Sequence, residues 1–294
     1  MDSKVAIIGA DGQLGRALVA RFGGAACGWS RQDCDLTDAQ SIVARLDEAQ
    51  PEVVINAAAY NQVDAAEDQI DLAWNVNARG PERLARACSE RGFRLVHIGT
   101  DYVFGNGPAP IGGWKETDLP LPQGQYAASK LAGDLAVLRE SSETQPALVV
   151  RTCGLYGAAS PTGKRSFVNA ILDRARTGQP LRVVHDQRCT PTHVEDLVEA
   201  LVRLLPLRAS GLIHFVNGGD CTWFEFATEI LRLAGIDRPI EPILSSDLKQ
   251  KAARPVDSRL STERFTALTG HAPRPWRDAV ARRLAADGVL AGST

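Results

Sequence analysis

Tyr126 and Lys130 stand four residues apart in the run Tyr126-Ala127-Ala128-Ser129-Lys130. On a helix that spacing puts both side chains on one face, about one turn apart. A free phenol titrates near ~10. A nearby ammonium favours the phenolate and lowers that value, which would let Tyr126 act as an acid or base close to neutral pH. Lys130 could also hold the ribose hydroxyls of a nicotinamide. Thr100 follows a predicted strand, where ligands sit in open α/β sheets, and its hydroxyl could hold a carbonyl beside Tyr126. A tyrosine–lysine pair alone is weak, because both residues are common on helices.

A second signal gives the pair meaning. Gly9-Ala10-Asp11-Gly12-Gln13-Leu14-Gly15 follows an apolar run and opens a helical pattern. Gly9 permits a tight turn, Gly12 lets the backbone approach a pyrophosphate, and Gly15 lets helix and strand pack closely. The helix N-terminus would offer free N–H groups and a partial positive charge to the phosphates. After the next strand the chain carries Ser30-Arg31 rather than an acidic residue. Arg31 could pair with a 2′-phosphate as a charge-assisted fork, so NADPH is expected over NADH. Asp35 and Leu36 would edge the adenine pocket. Ala57, Ala58 and Ala59, after Asn56, would leave room for the cofactor. Asn77 starts a predicted helix and is read equally as a cap.

These residues need a sheet to position them. Val5–Ile8, residues 25–29, Val53–Asn56, residues 95–98 and residues 148–150 read as buried strands, with helices over Gln13–Phe22, 38–49 and 77–91. Runs apolar on both faces, separated by amphipathic segments, imply an α/β fold: a Rossmann-type, doubly wound parallel sheet. After Gly157 the texture changes. A loop is expected over 158–164, a helix over 166–176, a strand over 181–184, a helix over 194–205 and a strand over 213–216. The end, from Trp223, reads as helical with proline-rich loops at 238–242 and 272–275. The division expected is a nucleotide-binding domain over 1–153 with return segments at about 178–217. A smaller C-terminal substrate lobe would take 154–177 and 218–294.

The bulk numbers are those of a soluble globular protein: 294 residues, 44% hydrophobic, 23% charged, net charge -2. That charge gives no pull toward nucleic acid or a membrane surface. No apolar run approaches the roughly 20 residues of a span. No signal peptide precedes the first strand, and six scattered cysteines without a CxxC pair read as reduced thiols, so a cytoplasmic location is expected. The five histidines lack ligand spacing, and no metal is expected.

The stretches GADGQLG (9–15), VINAAAYNQVDAAE (54–67), GTDYVF (99–104), YAASK (126–130), RTCGLYG (151–157), DQRCTPTHVEDL (186–197) and ARPVDSRLS (253–261) together resemble the extended short-chain dehydrogenase/reductase family. Within it, the chain is similar to the dTDP-4-dehydrorhamnose reductases. The resemblance implies reduction of the C4 ketone of dTDP-4-dehydro-L-rhamnose with NADPH, Tyr126 supplying the proton. It assigns Thr100, Tyr126 and Lys130 to catalysis, and Gly9 to Leu14, Asp35, Leu36 and Ala57 to Ala59 to the cofactor. Thr100 and Asp101 would touch the sugar, and Arg254 is a candidate for the diphosphate. Members often form homodimers, some with magnesium at the interface, though no acidic cluster here compels a metal. The family usually has tryptophan where this chain has Gly154, so a large substrate contact is missing. It has threonine where Asn61 stands and glycine where Cys189 stands. Cys153 and Cys189 are read as small packing residues.

Three other activities fit the same skeleton. A 4,6-dehydratase would want a carboxylate after Asp101, where Tyr102 stands. A sugar-nucleotide epimerase would reoxidise its substrate and retain its cofactor. A non-catalytic NADP-binding subunit, resembling that of methionine adenosyltransferase, would not need Thr100, Tyr126 and Lys130 together.

Overall fold

The computed structural model describes residues 4–105, 107–142, 145–158 and 166–290. Six strands form one parallel sheet: β1 Val5–Ile8, β2 Ala26–Trp29, β3 Val53–Asn56, β4 Arg94–Thr100, β5 Leu148–Thr152 and β6 Gly211–His214. Their spatial order is β6-β5-β4-β3-β1-β2. The order reverses between β1 and β3, and the crevice outside their carboxyl ends is where such sheets bind ligands. Register lines up Ile8 with Asn56 and Asn56 with His97. β4 runs on to Thr100, which pairs with Thr152. Thr100 therefore projects about 10 Å beyond that row, at roughly 3.3 Å per residue.

The apolar runs are buried on both faces because side chains alternate between two cores. Ile7, Ile55, Val96, Ile98 and Val150 meet α1 (Gln13–Phe22) and a helix over Val194–Leu204. Ala6, Ile8, Val54, Leu95 and Val149 face the opposite layer. That layer holds α2 (Ala39–Ala49), α3 (Ile70–Trp74), α4 (Gly80–Arg91) and α5 (Gly124–Arg139). Asn56, His97 and Arg151 fall in the alternation on the α5 side, as do Val54, Leu95 and Val149. Polar groups are thereby placed beneath that helix.

A further core lies away from the sheet. Phe167–Arg176 (α6), Trp223–Leu233 and Trp276–Ala286 pack around Tyr156, Phe226 and Trp276. Leu181 and Val183 belong to this core. Arg182–Val184 pairs in parallel with Glu241–Ile243 rather than with the sheet. This differs from two expectations, the return segment beginning near 178 and the loop at 238–242. Pro242 fits the strand because the ladder bonds come from its neighbours: Glu241 N donates to Leu181 O (2.8 Å) and His185 N to Ile243 O (3.0 Å). The loop expected over 158–164 lies, apart from Ala158, outside the described residues. The helix expected over 77–91 is not one helix. α3 continues through a wide π-type turn over Asn75–Arg79 into α4.

Candidate active site

Two adjoining cavities follow the carboxyl edge of the sheet. One, of about 450 Å³, is lined by Gly9, Asp11, Gly12, Arg31, Asp35, Leu36 and the Ala57–Asn61 loop. The other, of about 390 Å³, is lined by Gly12, Gln13, Leu14, Ala57–Ala59, Thr100, Asp101, Tyr126, Lys130 and Gly154. They share Gly12, Ala57, Ala58, Ala59 and Asn61, so they form one cleft bent over the glycine turn. α1 starts from Gly12 with no side chain capping it, which leaves first-turn N–H groups for an anion. In the second cavity Gln13 Oε1 and Thr152 Oγ1 are buried and make no hydrogen bond within the described protein. A dinucleotide fits this combination of open helix end, small-residue loop and unpaired acceptors.

Gly15 lies beneath that floor. A Cβ there would run into the Gly9 carbonyl oxygen and stand 2.7 Å from Ala10 Cα, both backbone atoms. Gly15→Ala is expected to displace the turn, raise the dissociation constant for NADPH at least about tenfold and cost about 1–3 kcal/mol of stability. Fluorescence titration with NADPH and thermal melts measure the two effects.

At the other end of the cleft Thr100, Tyr126 and Lys130 meet. Thr100 is buried and lines the cleft with Tyr126, and its hydroxyl accepts the Tyr102 N–H at 3.3 Å. The same hydroxyl lies 3.3 Å from Asp101 Oδ1. Burial pushes the Tyr126 phenol above its ordinary value, against the pull of Thr100, with Asp101 and Asp134 adding to the rise. The lowering expected from Lys130 does not prevail, and the phenol stays protonated at neutral pH. Lys130 Nζ donates to Ile98 O at 2.6 Å, and burial pushes its ammonium down to about 8, against Asp134. Asp101 is buried too, and burial raises its carboxyl to about 6, against the neighbouring side chains of Ser258, Cys153 and Thr100.

The start of α5 is fixed from outside. Gln123 provides no side-chain cap, and Glu67 Oε1 accepts the Gln125 N–H at 2.7 Å. Tyr102 meets the Tyr126 ring edge-on with centroids 5.6 Å apart. Asn77 is not a helix cap. Its Oδ1 accepts from Tyr60 N (2.8 Å), and its Nδ2 faces Tyr60 O (3.1 Å) and Ser129 Oγ (3.2 Å). It clamps the alanine loop to α5, one turn beyond Tyr126.

A fold and cleft of this kind narrow the kinship, and comparison decides it. The family model described as the RmlD substrate binding domain matches residues 3–288. The chain belongs to the RmlD substrate binding domain family. It is 41% identical over 298 residues to a dTDP-4-dehydrorhamnose reductase of Mycobacterium tuberculosis, covering 96% of this chain and 93% of that protein. It is 34% identical over 282 residues to the spore coat polysaccharide biosynthesis protein SpsK of Bacillus subtilis, covering 95% of each. The crystal structure of a Bacillus anthracis dTDP-4-dehydrorhamnose reductase in complex with NADP superposes with a TM-score of 0.90. It is 32% identical, with 97% of this chain and 100% of that chain covered.

Other residues singled out in this RmlD-family chain are placed less simply. Ser30 does not line the cleft; its N and Oγ both bond Asp33 Oδ2, at 2.9 and 2.6 Å. Gly154 lies on the cleft wall at φ +50, and the Trp223 ring stands 3.0 Å from where its Cβ would be. Where the family usually has tryptophan, this chain places an indole from another element nearby. Arg254 rims a third cavity of about 380 Å³ with Tyr102, Phe167, Arg182 and Trp223. Its guanidinium is engaged: Nη1 and Nη2 bond the two oxygens of Asp64 at 2.6 and 2.7 Å. Cys153 and Cys189 are buried in an apolar cluster with Val103, Phe104 and Val216, as packing residues. Sequence reading missed His97, Asp134, Arg151, Asp64 and Trp223. A histidine inside an apolar strand and an aspartate one turn beyond Lys130 were the available signals.

Proposed function

We propose that this chain reduces the C4 ketone of a dTDP-4-keto-6-deoxy sugar with NADPH, giving dTDP-L-rhamnose from dTDP-4-dehydro-L-rhamnose. The observation that carries this reading is the meeting of Thr100, Tyr126 and Lys130 in the cleft that the glycine turn and alanine loop also line. Bound NADPH would supply the hydride. Gly9, Asp11, Gly12, Gln13 and Leu14, with Ala57 to Ala59, would hold the cofactor over the sheet edge, Gly15 supporting the turn from below. Asp35 and Leu36 would edge its adenine. Thr100 orients the ketone oxygen by a hydrogen bond, and Tyr126, protonated at neutral pH, gives its proton to that oxygen as negative charge develops there. The remaining ammonium protons of Lys130 face the cleft, where they hold ribose hydroxyls and favour the phenolate left behind. Asp101 and Gly154 border the sugar's place. The substrate lobe is read as the core of α6, Trp223–Leu233 and Trp276–Ala286, together with residues 181–184 and 241–243.

Among the described residues, no helix is long and apolar enough to cross a membrane. The cysteines of the sequence are all free. Free thiols support a cytoplasmic location.

The deciding experiment mixes purified protein, NADPH and dTDP-4-dehydro-L-rhamnose and follows absorbance loss alongside product. One NADPH consumed per dTDP-L-rhamnose formed supports the reductase. Isomerised sugar with no net NADPH loss means an epimerase, and NADPH binding without turnover means a non-catalytic subunit.

Arg31 governs the cofactor choice in this reading. Its side chain is 70% exposed at the adenosine end and, among the described residues, is paired only with Asp35, at 3.4 Å. Exposed pairs of this kind contribute little and exchange readily for a phosphate fork. Arg31→Ala is expected to raise KM for NADPH about tenfold and leave KM for NADH nearly unchanged. Paired kinetics with the two cofactors measure this, and equal changes would remove the 2′-phosphate role.

A further inference from the structure

Beneath Lys130 lies a chain of polar groups with no part in the chemistry so far. Ala58, on the cofactor loop, donates its N–H to Asn56 Oδ1 at 3.1 Å. That bond fixes the orientation of the Asn56 amide. Asn56 Nδ2 then faces His97 Nδ1 at 3.0 Å, and both residues are wholly buried. An amide NH₂ only donates, so Nδ1 must carry the lone pair. His97 is neutral, since burial and the Lys130 charge hold its imidazolium form well below the ordinary value. Its single N–H therefore sits on Nε2. That atom lies 3.4 Å from Lys130 Nζ and 3.7 Å from Asp134 Oδ1.

An ammonium has three protons to place. Ile98 O takes one at 2.6 Å, and His97 Nε2 is the other protein atom within hydrogen-bonding reach among the described residues. A protonated Nε2 cannot accept. We propose that His97 is a positioning residue, locked by Asn56 as the Nε2–H tautomer, which denies Lys130 an inward acceptor and turns its remaining protons to the cleft. This rests on the reading of Lys130 as the group that holds the cofactor ribose. The charged and titratable groups around Lys130 are Tyr126 and Asp134 on its own helix, His97 from β4, Arg151 from β5 bonded to Asp134, and Asp101 beyond the end of β4.

Two substitutions on different residues should act in the same direction. His97→Gln offers a carbonyl oxygen that can accept from Lys130. Asn56→Asp puts a carboxylate on Nδ1, which moves the ring proton there and leaves the Nε2 lone pair toward Lys130. Either change stabilises the ammonium and draws it inward. The first measurement is ¹⁵N NMR of histidine-labelled protein between pH 6 and 9, with the His97 signals assigned by their loss in His97→Gln. The expected result is a neutral Nε2–H ring that does not titrate, converted to Nδ1–H in Asn56→Asp. The second is NADPH binding against pH, followed by fluorescence. In both variants affinity at pH 7 should fall about threefold to tenfold, and the alkaline break should move up by about half a pH unit or more. A native ring protonated at Nδ1, or variants whose break stays in place while only their melting temperature falls, would overturn the proposal. Neither measurement needs a sugar substrate, so absence of turnover in the native protein would count against the reductase reading alone.

Discussion

Tyr126→Phe is expected to lower kcat for keto-sugar reduction by about 10²–10⁴-fold while changing the dissociation constant of NADPH less than about twofold. The range is that of a single positioned acid or base. Phenylalanine preserves the ring that Tyr102 meets edge-on. It leaves Lys130 on Ile98 O and the clamp of Asn77 on Ser129 intact. What disappears is the hydroxyl that shares the cleft with Thr100, and with it the proton for the developing alkoxide. Single-turnover absorbance measurements give the chemical rate, and fluorescence titration gives cofactor affinity. A variant reducing the sugar at the parent rate would show that the proton comes from elsewhere. Thr100→Val should reproduce part of the loss, since it removes the hydroxyl that would hold the ketone oxygen beside the phenol.

Thr100, Tyr126 and Lys130 are legible in the sequence for a physical reason. Tyr126 and Lys130 are helical neighbours, and Thr100 follows an apolar run, so local spacing already carries their relation. The glycine turn is legible because backbone crowding at Gly15 admits nothing larger. The sheet is legible because its strands are buried on both faces. Two-residue strands such as Arg188–Cys189 and Thr192–His193 are too short to show a period. The expected loop at 238–242 overlaps the strand Glu241–Ile243 because proline usually ends a ladder; here its partner needs no bond from that residue. Asn77 looked like a cap because local sequence cannot reveal that its partners are Tyr60 and Ser129. The Tyr126 phenol shifts up rather than down for a related reason. Sequence shows that a lysine is near, and only the fold shows how much protein is packed around the half-buried tyrosine.

The same limit hid the pair that supports the site from beneath, Asp134 and Arg151. Arg151→Leu is expected to cost about 3–5 kcal/mol, the range for removing one partner of a buried ion pair. For a chain of this size that is a fall in melting temperature of roughly 5–8 °C. Arg151 Nε bonds Asp134 Oδ2 at 2.8 Å, with side-chain exposures of 3% and 0%. The arginine also lies over the Phe104 ring, 5.5 Å from its centroid. Gly99 makes room for the pair, since a Cβ there would stand 2.8 Å from Arg151 Cγ and 2.9 Å from Asp134 Oδ1. Leucine fills much of the volume but leaves the carboxylate facing apolar groups. Adding Asp134→Leu removes the stranded charge and should recover part of the stability. It should not recover function. Asp134 is the anion that holds up the Lys130 ammonium against burial, so without it that group falls further below about 8. In the double variant the alkaline break of NADPH binding therefore moves to lower pH, opposite to the shift expected for His97→Gln. A double variant whose break stays at the native pH would show that Asp134 braces the fold without tuning Lys130.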